Sequence, residues 1–187
     1  MGTVRAYLLS ARVTWWLIAV NVAVWCVICA GADPSATWLG CDPADVFARP
    51  WTLLTYSLTH SYAVHLAVNC LALAVAGCIV EHIDGPVRAL LLYVVCALAG
   101  AAAYIGLNML AGVSYGVLTG ASAAILGMMA YAACIAPGRL RLPLALAVAL
   151  LLVFGLTGDN PGGTAAHFGG TVAGVAVAWI TSKDKNC

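Results

Sequence analysis

The sequence predicts an all-α polytopic membrane protein, a bundle of six transmembrane helices with both termini in the cytoplasm. Three observations predict it. Of 187 residues, 64% are hydrophobic and only 8% charged, against about 25% charged in a soluble domain. The apolar residues gather into runs separated by Gly, Pro and Asp breaks. The basic residues then fall almost entirely on one side of those runs. A soluble fold of this size has no interior large enough for so much apolar surface. The net charge of +1 offers no footprint for nucleic acid.

The first apolar run, residues 13–30, is followed by no small-x-small cleavage site and reads as a retained helix, not a signal peptide. A long semi-polar segment follows, about residues 31–64. Its Trp38, Phe47 and Trp51 stand among Asp33, Asp42, Asp45 and Arg49, a pattern suited to the membrane interface. The second and third runs, 65–80 and 87–110, are divided by Asp84-Gly85-Pro86. The fourth and fifth, 121–136 and 142–156, are divided by Pro137-Gly138-Arg139. Both are short against the roughly 20 residues a bilayer core needs, so either they extend further or the membrane thins around them. The sixth run, 165–180, follows the break Gly158-Asp159-Asn160-Pro161-Gly162-Gly163. With no large soluble domain and no internal repeat, residues 1–187 read as one membrane domain with short cytoplasmic tails, 1–12 and 181–187.

With a cytoplasmic N-terminus, Arg5, Arg12, Arg88, Arg139, Arg141, Lys183 and Lys185 are inside and only Arg49 is outside. The opposite orientation would place those seven on the wrong side. Six of the eight cysteines (Cys26, Cys29, Cys70, Cys78, Cys96 and Cys134) lie within apolar runs, where Cys acts as a small hydrophobe. Cys26 and Cys29 form a C-x-x-C, but no second ligand pair accompanies them. Cys41 and Cys187 have no evident partners, and no cofactor or metal is expected.

Four polar residues are stranded in these helices: His65, Asn69, Ser122 and His167. Polar groups at membrane depth are expensive and call for a reason. In this topology the second, fourth and sixth runs all pass from outside to inside, so all four residues lie a modest depth below the outer face. His65 and Asn69 are four apart and share one helix face. Ser122 follows Gly120-Ala121, where a loop-to-helix turn puts its hydroxyl at a helix N-terminus. Backbone N–H groups and the macrodipole there favour developing negative charge. His167 sits among Ala165, Ala166, Gly169 and Gly170. The G-x-x-x-G from Gly170 to Gly174 permits the close helix approach that brings His167 within reach of Ser122. Alone, such a Ser bonds to its own helix and such a His lines an interface. At one depth together they suit a nucleophile and its general base. No Asp or Glu shares that depth, so the reading is a dyad, not a triad.

These residues resemble the rhomboid family of intramembrane serine proteases. His65-Leu66-Ala67-Val68-Asn69 resembles its H-x-x-x-N. Gly120-Ala121-Ser122-Ala123 resembles its G-x-S-G. Ala166-His167-Phe168-Gly169-Gly170 followed by Gly174 resembles its A-H-x-x-G-x-x-x-G. The resemblance runs from about residue 50 to 180 and includes the order of the motifs on the second, fourth and sixth spans of the bacterial form. It implies Ser122 as nucleophile and His167 as base. It further implies that His65, Asn69 and the backbone N–H of Ser122 hold the oxyanion. His60 is similar to a family histidine that supports and hydrates the site, and Gly77-x-x-x-Glu81 to a structural pattern. Two positions depart: Ala123 stands where the family has Gly, and Thr52 follows Trp51 where Arg is frequent.

The function expected is therefore a serine endopeptidase of the bacterial plasma membrane, cutting transmembrane proteins near the outer face. The alternative is a non-catalytic rhomboid-like binder of membrane helices, which Ala123 would suit. A transporter is disfavoured because no Asp, Glu, Lys or Arg lies centrally in the spans.

Overall fold

The structure is a computed structural model and describes residues 10–31, 36–157 and 160–184. Arg5, Asp33, Gly158, Asp159, Lys185 and Cys187, and the side chain of Lys183, lie outside the described residues. The helices are α1 (Arg12–Cys29), α2 (Ala36–Leu39), α3 (Thr52–Thr55) leading into a 3-10 turn (Tyr56–Leu58), α4 (Ala63–Ala111), α5 (Ser122–Ile135), α6 (Gly138–Leu156) and α7 (Pro161–Asp184). Four of them, α1, α4, α6 and α7, are long and apolar enough to cross a membrane.

With 49 residues, α4 would be about 73 Å long at 1.5 Å per residue, more than twice a hydrocarbon core of about 30 Å. It breaks at Gly85, whose φ of 86° and ψ of 171° are non-helical and open to glycine without strain. Pro86 then starts the second limb with a φ already set for helix. Two hydrogen bonds show that this limb returns beside the 3-10 turn that precedes the first. Tyr93 donates to the Ser57 carbonyl at 3.0 Å and Tyr56 donates to the Ala97 carbonyl at 2.8 Å. The second and third sequence runs are thus the two limbs of one broken element.

The fifth and sixth runs begin earlier than the sequence suggests, the sixth with Pro161, Gly162 and Gly163 as the first residues of α7, and the fourth keeps its short length. The fifth run extends backwards, because only Pro137 stays outside the helix and Gly138 and Arg139 form the first turn of α6. Arg141 Nε donates to the Ala136 carbonyl at 2.8 Å, tying that turn to the end of α5. The fourth run does not extend. α5 is 14 residues long and is buried continuously from Ala123 to Ala132, surrounded by α4, α6 and α7. A helix walled in by its neighbours along most of its length meets protein and not lipid there, so it need not match the bilayer thickness.

At the end of the molecule where α4 breaks, Glu81 caps α1. Its carboxylate accepts from Val13 N–H at 3.0 Å, Thr14 N–H at 2.8 Å and the Thr14 hydroxyl at 2.8 Å. These donors belong to a helix start that has no acceptors of its own. Gly77, one turn earlier, lets the helices meet: a Cβ there would lie 2.7 Å from Thr14 Cγ2. Glu81 is therefore structural, as its sequence pattern suggests.

At the opposite end, the 36–62 segment is bound to the segment before α5. Cys41 and Leu118 exchange backbone hydrogen bonds of 3.0 and 2.9 Å, and the Ser61 and Thr119 hydroxyls lie 3.0 Å apart. Cys41 is buried, and burial pushes its thiol up to about 11, which keeps it unreactive. Trp38 and Trp51 stack at 6.0 Å and, with Phe47, remain exposed, while Arg49 pairs with Asp45. Buried polar residues outnumber the four foreseen. Asn21 donates to the Leu17 carbonyl at 2.7 Å. Asn108 donates to the Tyr104 carbonyl at 2.8 Å and accepts from Tyr115 N–H at 2.9 Å.

Candidate active site

Ser122 owes its place to the turn before it. Gly120 has a φ of +108°, and its N–H donates to the Tyr56 carbonyl at 3.0 Å. α5 begins directly afterwards, with Ala121 as N-cap and Ser122 as its first residue. The Ser122 N–H thus belongs to a first turn whose donors have no acceptor within the helix. The His65 ring lies against the same turn. A Cβ at residue 120 would stand 2.6 Å from His65 Cε1 and 2.7 Å from Nε2.

α7 carries His167 to the same point. Asn160 caps it, its Oδ1 accepting from Gly163 N–H at 2.9 Å, and Pro161 opens it, where a missing N–H costs nothing. His167 falls in the second turn, and its Nε2 lies 2.8 Å from Ser122 Oγ across 45 positions of sequence. Nδ1 of His167 is buried and has no hydrogen-bond partner among the described residues. A carboxylate to orient the ring is therefore lacking among them.

Small residues hold the two helices this close. A Cβ on Gly170 would run into the Ala123 carbonyl, and one on Gly174 into the Gly127 carbonyl one turn further along. Backbones in such contact tolerate no side chain between them. Ala123 itself is buried and has its methyl against Gly100 in the second limb of α4.

Ser122, His65 and His167 line a cavity of about 260 Å³, with Tyr104, Tyr115 and Asn160 among its other walls. Asn69 is not among the lining residues. It is buried, and its Nδ2 donates to the His65 carbonyl at 2.8 Å. His60 stands behind His65, with ring centroids 5.0 Å apart and nearly perpendicular. Burial, then the neighbouring His65, pushes His60 down to about 4, so it is neutral at physiological pH.

Sequence reasoning did not single out Tyr56, Tyr104, Tyr115, Asn160 or Gly100. Tyr56 and Tyr104 act through backbone groups outside their own turns, the Ala97 and Gly116 carbonyls, which no local pattern encodes. Gly100 carried a signal in the small-residue run Ala99-Gly100-Ala101-Ala102-Ala103, since such runs mark close helix contacts.

A family model described as the rhomboid domain matches residues 48–184. Comparison with curated proteins finds no match. The matched region holds α4 to α7 and every residue around the cavity, and it covers well over half of the sequence. The chain belongs to the rhomboid family and is an integral, multi-pass membrane protein.

Proposed function

We propose that the protein is an intramembrane serine endopeptidase that cuts transmembrane substrates near the extracytoplasmic face with a Ser122–His167 dyad. The observation that carries this reading is the 2.8 Å approach of His167 Nε2 to Ser122 Oγ in a polar-lined cavity of a rhomboid-family protein. The pair has the spacing of a nucleophile and its base.

In the reaction, neutral His167 accepts on Nε2 and carries its ring proton on Nδ1. Ser122 Oγ attacks the substrate carbonyl carbon and gives its proton to Nε2. The carbonyl oxygen becomes an oxyanion, met by the Ser122 N–H at the start of α5 and by His65. Asn69 would join them through the amide hydrogen not bonded to the His65 carbonyl, which requires its side chain to turn into the cavity that it does not line in the resting structure. Collapse expels the amine, which takes the proton back from Nε2 and leaves an acyl group on Ser122. A water molecule deprotonated by Nε2 then releases the acid and restores the serine. His60 supports His65. Gly120, Ala123, Gly170 and Gly174 fix the helix contacts that set the geometry.

The membrane arrangement belongs to the same proposal. Residues 1–187 form a single membrane domain whose six spans are α1, the two limbs of α4, α5, α6 and α7. Both termini are cytoplasmic, and the host is a bacterial plasma membrane. The basic residues support this orientation, with Arg12, Arg88, Arg139 and Arg141 at the end where α4 breaks and Arg49 at the end of the cavity.

A fluorophosphonate probe and a transmembrane substrate in liposomes test the reading. The purified protein should label at Ser122 and cleave the substrate, and Ser122→Ala should do neither. A folded protein that neither labels nor cleaves would instead be a non-catalytic binder of membrane helices.

A further inference from the structure

The geometry points to Gly100 as a positioning residue for the Ser122–His167 pair, acting through a one-methyl complement with Ala123. This role rests on the dyad proposed above. Gly100 is buried in the second limb of α4. A Cβ there would lie 2.6 Å from Ala123 Cβ, 2.9 Å from the Tyr56 hydroxyl oxygen and 3.1 Å from the Ala166 carbonyl oxygen. Ala123 directly follows Ser122, and Ala166 directly precedes His167. One added atom at residue 100 therefore presses on both helices beside the reacting side chains.

Neither contact can yield cheaply. A Cβ and a backbone carbonyl move only with their helix, unlike the end of a flexible side chain. The Tyr56 hydroxyl is itself held by its bond to the Ala97 carbonyl. α5 cannot retreat on its other side either, because Gly170 of α7 already lies against the Ala123 carbonyl. The stack of Gly100, Ala123 and Gly170 has room for one methyl group, and in this sequence that methyl is on Ala123. The departure at residue 123 is thus accommodated by an absent side chain on a different helix. Adding a second methyl pushes Ser122 and His167 out of register, and displacement of about 1 Å costs on the order of 100-fold in rate.

A double-mutant cycle on the full-length protein in liposomes tests this, using wild type, G100A, A123G and G100A/A123G. The readouts are the rate of fluorophosphonate labelling at Ser122, kcat and KM for one substrate, and thermal unfolding. Gly100→Ala should slow labelling on the order of 100-fold and lower kcat far more than KM, with a cooperative unfolding transition retained. Moving the methyl back, in G100A/A123G, should recover at least about tenfold of that loss, a coupling expected only of residues in contact. A residue that merely supported the fold would show no such rescue from another helix. The role is overturned if Gly100→Ala labels at the wild-type rate, or if the double variant is no faster than Gly100→Ala. It is also overturned if both fail to fold, which would assign Gly100 to the fold through Tyr56 and Ala166. A wild-type protein that does not label would overturn the protease reading itself, and this role with it.

Discussion

Gly120 and His65 share one small space: the imidazole occupies the position where a side chain at residue 120 would begin, 2.6 Å from Cε1. The same glycine holds a φ of +108°. Its two properties, positive φ and no Cβ, bring the His65 ring to the start of α5 and set Ser122 as the first residue of that helix.

Gly120→Ala should therefore be damaging for two separate reasons. The backbone strain costs about 1–3 kcal/mol, and the displaced ring withdraws a polar group from the oxyanion region, on the order of 100-fold in rate. Fluorophosphonate labelling and thermal unfolding measured together would check it. Wild-type labelling by Gly120→Ala would remove His65 from the account of the oxyanion.

Ser122→Ala and His167→Ala should each abolish turnover of a transmembrane substrate, and the double variant should be scarcely worse than either. Members of one catalytic unit lose their contribution together. Asn69→Ala should be milder, about 10–1000-fold, as one donor among several is lost. Losses at Ser122 and His167 that multiply would argue against a dyad.

Ala123→Val should nearly silence the protein. The site is buried between Gly100 and Gly170, and two further methyls there overpack it by about 1–3 kcal/mol while driving Ser122 from His167. The decisive comparison is kcat for Ala123→Val against wild type. Equal values would show that the contact between α5 and its neighbours is loose.

Glu81→Ala should lower stability without touching the chemistry. It strips the acceptor from three donors at the start of α1, at a cost on the order of 2–4 kcal/mol. Equilibrium unfolding in detergent should show the loss. The labelling rate of the folded fraction should be unchanged, since Glu81 lies at the opposite end of α4's first limb from His65. An unchanged unfolding midpoint would show that α1 is held by its apolar face alone.

Membrane orientation has its own test. In a background with the native cysteines replaced, Asp45→Cys should react with a membrane-impermeant thiol reagent added to intact cells, and Arg139→Cys should react only after lysis. Reaction of both before lysis would break the shared-depth argument for the cavity.

Much of this protein was determined by its sequence alone. Apolar runs, their breaks and the side on which the arginines fall are local properties, written in consecutive residues, and they led to the helices and to the membrane. The rhomboid family was legible in three short motifs in order, because chemistry at one point requires particular side chains at particular places on their own helices. The length of α5 and the start of α6 were not legible. A helix walled in by protein is released from bilayer thickness, and that enclosure depends on what surrounds it. The 2.8 Å distance from His167 to Ser122 and the room Gly100 leaves for the Ala123 methyl were likewise decided only by tertiary structure. Each is a contact between residues on different helices, and such a contact is set by the space two helices leave each other, which neither helix carries in its own residues.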